Sequence, residues 1–184
     1  MKIPLAFFAL CCTFSSHAIA ADATQDRSYA LPERGKLVLA VPQGWSDKVS
    51  QPPNKLPPTL RFSGKPDGKF QVLMTPLWSP RRDPEFKSPA SVRRIAERGA
   101  ADASKQAVER NIPIVELKGS TGAGFYFFAT DRAPAPGEYK YLTQGAIAVG
   151  DLVVSFTVLS NDAESAETKA ALEMLRGARH SNPL

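Results

Sequence analysis

From Asn111 to Leu159 the chain repeats one texture four times, and that repetition limits the folds open to it. Residues 112–117, 124–130, 139–149 and 152–159 are rich in β-branched and aromatic side chains, which suit a pleated, half-buried surface better than a helix. Gly119-Ser120-Thr121-Gly122, Ala133-Pro134-Ala135-Pro136-Gly137 and Gly150-Asp151 separate them. Connections this short cannot hold the crossover a parallel pair needs, so four antiparallel strands in a meander are expected. Within the second, Phe125 and Phe127 point to one face and Tyr126 and Phe128 to the other. Both faces of the sheet then need cover, and these rings are expected in the core.

The first half adds strands in pairs. Residues 28–31 and 36–41 flank the turn cluster Pro32-Glu33-Arg34-Gly35, and the second stretch reads as a buried strand closed by Pro42-Gln43-Gly44-Trp45. Residues 46–58 read as a polar loop holding Pro52, Pro53, Pro57 and Pro58, which cannot donate to a ladder. Residues 59–63 and 70–75 flank Gly64-Lys65-Pro66-Asp67-Gly68, where proline presets one dihedral and glycine accepts a positive one, so a hairpin is expected. Residues 76–89 form a second proline-broken loop carrying Trp78, Arg81, Arg82 and Phe86.

Two segments carry helical spacing. Ser88 caps and Pro89 opens a helix expected to reach about residue 110, with Val92, Ile95, Ala96, Ala100, Ala103 and Ala107 inward. Gly99 lies mid-helix, where it costs up to ~1 kcal/mol against alanine, so a close contact is expected there. Asn161-Asp162 is expected to cap a final helix facing inward through Ala171, Leu172, Leu175 and Ala178. Strands, helix, strands, helix is an α+β order, read as one antiparallel sheet with a helix on each face, an α/β/α sandwich.

The N-terminus reads as a secretory leader. Met1-Lys2 is basic, residues 3–14 are mostly apolar, and Ala18-Ile19-Ala20 is a small-x-small cleavage site. The apolar run is shorter than the about 20 residues that span a bilayer. Leu10 before Cys11 does not fit a lipidation box, which wants a small residue there. We therefore expect residues 1–20 as signal peptide, residues 21–184 as one domain, and a periplasmic location with no membrane span after cleavage. Cys11 and Cys12 leave with the leader, so the mature chain has no disulfide and no thiol chemistry. Compaction then rests on the hydrophobic core, which a chain of this length can supply.

Charge is uneven. Arg61, Lys65, Lys69, Arg81, Arg82, Lys87, Arg93 and Arg94 face only Asp67, Asp83 and Glu85 over residues 61–94. Such a cluster attracts anionic envelope components or an acidic partner; nucleic acid is not expected for an exported chain without a binding motif.

Catalytic patterns are sparse. His180 is the one histidine of the expected mature chain, and it is expected to be solvent-exposed beside the C-terminus. No Gly-x-Ser-x-Gly elbow accompanies it. The glycine-rich stretch 119–124 lacks the Lys-Ser/Thr ending of a nucleotide loop and precedes a strand, so it reads as a hairpin turn. No cofactor or metal is expected. Glu116, Asp131 and Glu138 are candidates for a carboxylate pair acting on envelope polymer, an alternative reading in which separation would set the mechanism.

Several of these features together resemble the PsbP-like families, including the DcrB-like exported proteins. They are the strand ending in Val41-Pro42-Gln43-Gly44-Trp45, the hairpin, a central helix, the meander around Gly145-Ala146-Ile147-Ala148-Val149, and a closing helix with Leu172 and Leu175. The resemblance implies an α/β/α sandwich and a binding or assembly accessory rather than an enzyme. No residue role transfers with it.

Trp45, Trp78 and Phe86 fall in or beside proline-rich loops, with Arg81 and Arg82 between the last two. Aromatics with arginines are the composition of interface hot spots. These five residues are the expected surface for a partner protein or anionic envelope component. An inhibitor or immunity-type protein is a further alternative.

Overall fold

Pro32-Glu33-Arg34-Gly35 does reverse the chain, with Glu33 and Gly35 both at positive φ (58° and 71°) and the Leu31 amide donating to the Gly35 carbonyl at 2.8 Å. The computed structural model describes residues 23–64, 68, 70–79 and 83–182; the expected leader and the tip of the 64–68 turn lie outside them. The turn joins β1 (Thr24–Ala30) to β2 (Lys36–Pro42) in an antiparallel pair. Leu37, Leu39 and Val41 alternate onto one buried face of β2.

Residues 46–58 are not all loop. Ser46–Ser50 forms β3, a strand exposed at every position, paired with β4 (Thr59–Ser63). Its side chains give no alternation to read, because backbone pairing and the Ser46 hydroxyl on Ser63 hold it at a sheet edge. β4 pairs with β5 (Phe70–Leu77), as the 64–68 turn requires. Pro76 continues β5 past Thr59, where β4 has ended and that side of the ladder needs no donor.

Asp83 opens a short 3₁₀ turn, Pro84–Lys87, and Ser88 then caps α1 (Pro89–Ala103) by accepting from the Ser91 amide. α1 stops seven residues short of the expected end. Beyond it, Ala107 bridges to Asp131, Val108 donates to the Thr130 carbonyl and Arg132 to the Gln106 carbonyl. Tertiary pairing thus replaces the last helical turns.

β6 (Val115–Lys118), β7 (Ala123–Thr130), β8 (Tyr141–Val149) and β9 (Leu152–Ser160) form the meander. α2 (Ala166–Arg176) is capped by Ser165 rather than by Asn161-Asp162. Asp162 instead accepts from the Glu164 amide one turn upstream. The chain then adds β10 (Arg179–Ser181), which pairs with β2.

Among the described residues all ladders are antiparallel, and the fold is mixed α+β. The expected single sheet is two: a seven-stranded sheet in the order β3-β4-β5-β9-β8-β7-β6, and a three-stranded one in the order β1-β2-β10. On one face of the large sheet, Val92 and Ala96 of α1 pack on Phe125, Ala146, Ala148 and Val153. Ala100 packs there with Phe127 and Ala129. A Cβ on Gly99 would sit 2.9 Å from the Phe127 ring, so α1 lies close because that position has no side chain. On the other face, Phe62, Met74, Phe156 and Ile147 share a cluster with Leu37 and Leu39 of β2 and with Ala171 and Leu175 of α2. The small sheet therefore shares that layer with α2, so the layer is not made by a helix alone.

Phe62, Phe127 and Phe156 are fully buried, each worth about 2–3 kcal/mol, against less than about 1 kcal/mol for an exposed ion pair. The core decides the fold. Phe125 and Phe127 are buried as expected, whereas Tyr126 and Phe128 are half-buried and Phe128 stacks on Tyr141 at 5.9 Å. Among the described residues no helix is long and apolar enough to cross a membrane.

Candidate functional site

β5 carries the expected aromatic residues at opposite ends. Trp45 packs its ring on Phe70, the first residue of β5, at 4.7 Å, and joins the main core cluster. Its carbonyl also accepts from the Arg27 guanidinium. Trp78 follows Leu77, the last residue, so on the order of 25 Å of strand separates the two. Trp45 pins its loop; it is not part of a common surface with Trp78.

Trp78 and Phe86 share a cleft. Both line a cleft of about 470 Å³ at the end of the large sheet, closed by the β1–β2 turn, the start of β9 and the C-terminal strand. Ser79 and Asp83 also line it, and Arg81 and Arg82 fall between them in the chain but outside the described residues. Each ring is half-buried, backed by apolar neighbours and open on the cleft side.

The polar wall was not legible in the sequence. Lys87 donates to Asp151 Oδ1 at 2.7 Å and to the Gly150 carbonyl at 3.1 Å. Asn182 donates to Asp151 Oδ2 at 3.4 Å. The bond from Lys87, then that from Asn182, holds the Asp151 carboxyl below the usual carboxylate range. Stability from this group is present above the unfolded carboxyl pKa of about 3.9 and is lost as pH falls through the lower folded value. Lys87 and Asp151 are 40% and 61% exposed, so water screens the gain.

His180 departs from its expected exposure. It is half-buried on β10, with Nε2 2.7 Å from the Arg34 carbonyl and Nδ1 accepting from the Asp151 amide at 3.3 Å. That pattern requires the neutral tautomer with hydrogen on Nε2. The ring fastens the C-terminal strand to two turns, and a Cβ on Gly150 (φ 58°) would lie 2.9 Å from its own Cβ. Lys87, Asp151, His180 and Asn182 are scattered along the chain, and the only signals for them were the place of Lys87 in the basic cluster and the isolation of His180 as a histidine.

The cleft's charged and aromatic groups differ in how they are engaged. Its carboxylate, ammonium and imidazole are already bonded to one another or to backbone, while its aromatic faces are open. Among the described residues no group of three or more His, Cys, Asp or Glu side chains is placed to hold a metal ion.

Of the carboxylate candidates, Asp131 and Glu138 line one shallow cavity of about 310 Å³. Each is occupied in its own turn, Asp131 accepting from the Ala133 amide at 2.9 Å and Glu138 from the Ala135 amide at 3.3 Å. Glu116 lies apart, exposed on β6.

No protein-family profile matches the chain, and no curated protein does. The fold is similar to the solution structure of cyanobacterial PsbP (CyanoP) from Synechocystis sp. PCC 6803, with a TM-score of 0.52 and 8% identity. The alignment covers 91% of this chain and 98% of that one. The PsbP-like resemblance is therefore one of fold.

Proposed function

We propose that the protein is an exported, non-enzymatic binding or accessory protein of the periplasm that recognises a partner protein or an anionic envelope component. The observation that carries this reading is the cleft walled by Trp78 and Phe86, whose polar groups are engaged with one another while its rings face outward. Arg81 and Arg82 lie in the short segment between two of its lining residues and add the positive charge that steers an acidic partner. The accessory role implied by a PsbP-like resemblance agrees with it.

The test is capture from an envelope extract at low salt, with Trp78→Ala and with the pair Arg81→Glu and Arg82→Glu. An anchoring aromatic is worth about 2 kcal/mol, so Trp78→Ala is expected to weaken capture roughly 30-fold. The charge reversal should abolish its salt dependence. Capture unchanged in both variants would remove the cleft as the site.

A further inference from the structure

Among the described residues, the sheet face that packs on α1 is only half covered. Cross-strand register places Phe127, Gln144, Thr157, Leu73, Arg61 and Lys48 in one row across β7, β8, β9, β5, β4 and β3. α1 rests on the β7–β8 end. Beyond it hydroxyl-bearing side chains enter the face, with Ser155, Thr157, Thr75 and Thr59 partly exposed beside the half-buried Leu73, Leu77 and Leu159. Their neighbours pointing the other way, such as Leu60, Val72 and Val158, are buried.

On this open half Lys48 and Arg61 are direct cross-strand partners. Like charges so placed repel and cost stability. Neither is ion-paired among the described residues. Asp47 is the one acid in β3, β4, β5 and β9, and it is turned to the opposite face, where it pairs with Arg27. The two cations therefore share a face on which none of those strands places a carboxylate.

Hydroxyls flank the cations on both sides along the strands. Ser46 and Ser63 pair through their hydroxyls at 3.1 Å on one side. Ser50 faces Thr59 on the other, and Thr59 meets the Thr75 hydroxyl at 3.3 Å. Each step along a strand face is about 7 Å. A chain lying along β3–β4 thus meets hydroxyl, cation pair, hydroxyl.

We propose that this open half-face binds an acidic polysaccharide strand, with a sugar carboxylate between Lys48 and Arg61 and neighbouring sugar hydroxyls on the serine and threonine pairs. A bilayer-binding face would need apolar or aromatic side chains to insert. Here Val49, the exposed apolar residue of β3, points to the opposite face, and the apolar residues that share this face, Leu73, Leu77 and Leu159, are half-buried between their neighbours rather than projecting. The surface is separate from the Trp78 cleft and does not depend on it.

The test uses protein expressed from its full-length chain, with polygalacturonate as probe at low and physiological salt. Wild type should bind and weaken with salt, and Lys48→Gln with Arg61→Gln should lose about tenfold or more in affinity. Lys48→Arg with Arg61→Lys should retain binding, as should Trp78→Ala, which separates failure here from failure of the cleft. Lys118→Gln with Arg110→Gln, the same charge change elsewhere, should leave binding unchanged. Without polymer, the Lys48→Gln, Arg61→Gln protein should melt higher than wild type, since the repulsion is gone. The proposal is overturned if that protein binds as wild type does, or if the Lys118, Arg110 control loses as much. Binding to phosphatidylglycerol vesicles but not to polygalacturonate would overturn it too.

Discussion

Tyr29 sets burial against polarity within one side chain. Its ring meets Phe62 edge-on at 5.9 Å and is 5% exposed, yet its hydroxyl has no hydrogen-bond partner among the described residues. Burial first, and the Asp47 carboxylate second, push its phenol well above the ordinary range. Because an unpartnered buried hydroxyl contributes little, Tyr29→Phe is expected to change stability by less than about 1 kcal/mol, or to raise it. The folded chain keeps this phenol neutral, while the unfolded chain ionises it above about pH 10. Its contribution is complete below that pH and is lost as pH rises through the higher folded value. Urea unfolding at pH 8 and pH 11 should therefore show a larger loss for wild type than for Tyr29→Phe. Equal losses would mean the hydroxyl is solvated. Residue-scale reading of the aromatics succeeded where alternation decided the outcome, at Phe125 and Phe127. It could not separate Trp45 from Trp78, because identical loop surroundings in sequence become opposite ends of one strand in space.

Elements were legible where side-chain pattern produces them and illegible where backbone pairing does. The meander, the hairpin at 64–68 and the Ser88-Pro89 helix start follow from β-branched runs and turn chemistry. β3 and β10 do not, being short and mostly exposed, and are recruited by the edges of β4 and β2. The cap of α2 shows the same limit at closer range. Asn161, Asp162 and Ser165 are all competent caps by type, but Ser165 is buried, accepts from the Thr168 amide at 3.1 Å and donates to Glu167 at 2.8 Å. Ser165→Ala is expected to cost about 1–2 kcal/mol, and Asp162→Ala less than about half of that. Thermal denaturation of the two variants checks the order, and a larger effect at Asp162 would contradict the assigned cap.

At the scale of the whole molecule the C-terminal strand ties three distant segments together. Arg179 pairs with Asp26 of β1, and His180 reaches Arg34 in one turn and Asp151 in another. Ending the chain at Ala178 removes these bonds and the ladder to β2. The expected loss is about 2–4 kcal/mol, on the order of 10 °C in Tm for a domain of this size. A melting temperature within a degree or two of wild type would show the strand to be a passenger.

Local chemistry in the amino-acid sequence determined the α+β class, the antiparallel meander, both helices and the hairpins, because periodicity and turn residues act between near neighbours. Only the tertiary structure decided that the strands divide into two sheets, that α1 gives way to pairing at Ala107, and that Lys87, Asp151, His180 and Asn182 meet beside Trp78. Those outcomes depend on contacts between segments up to 153 residues apart, and no local pattern encodes which distant edges will be free to pair once the core has closed.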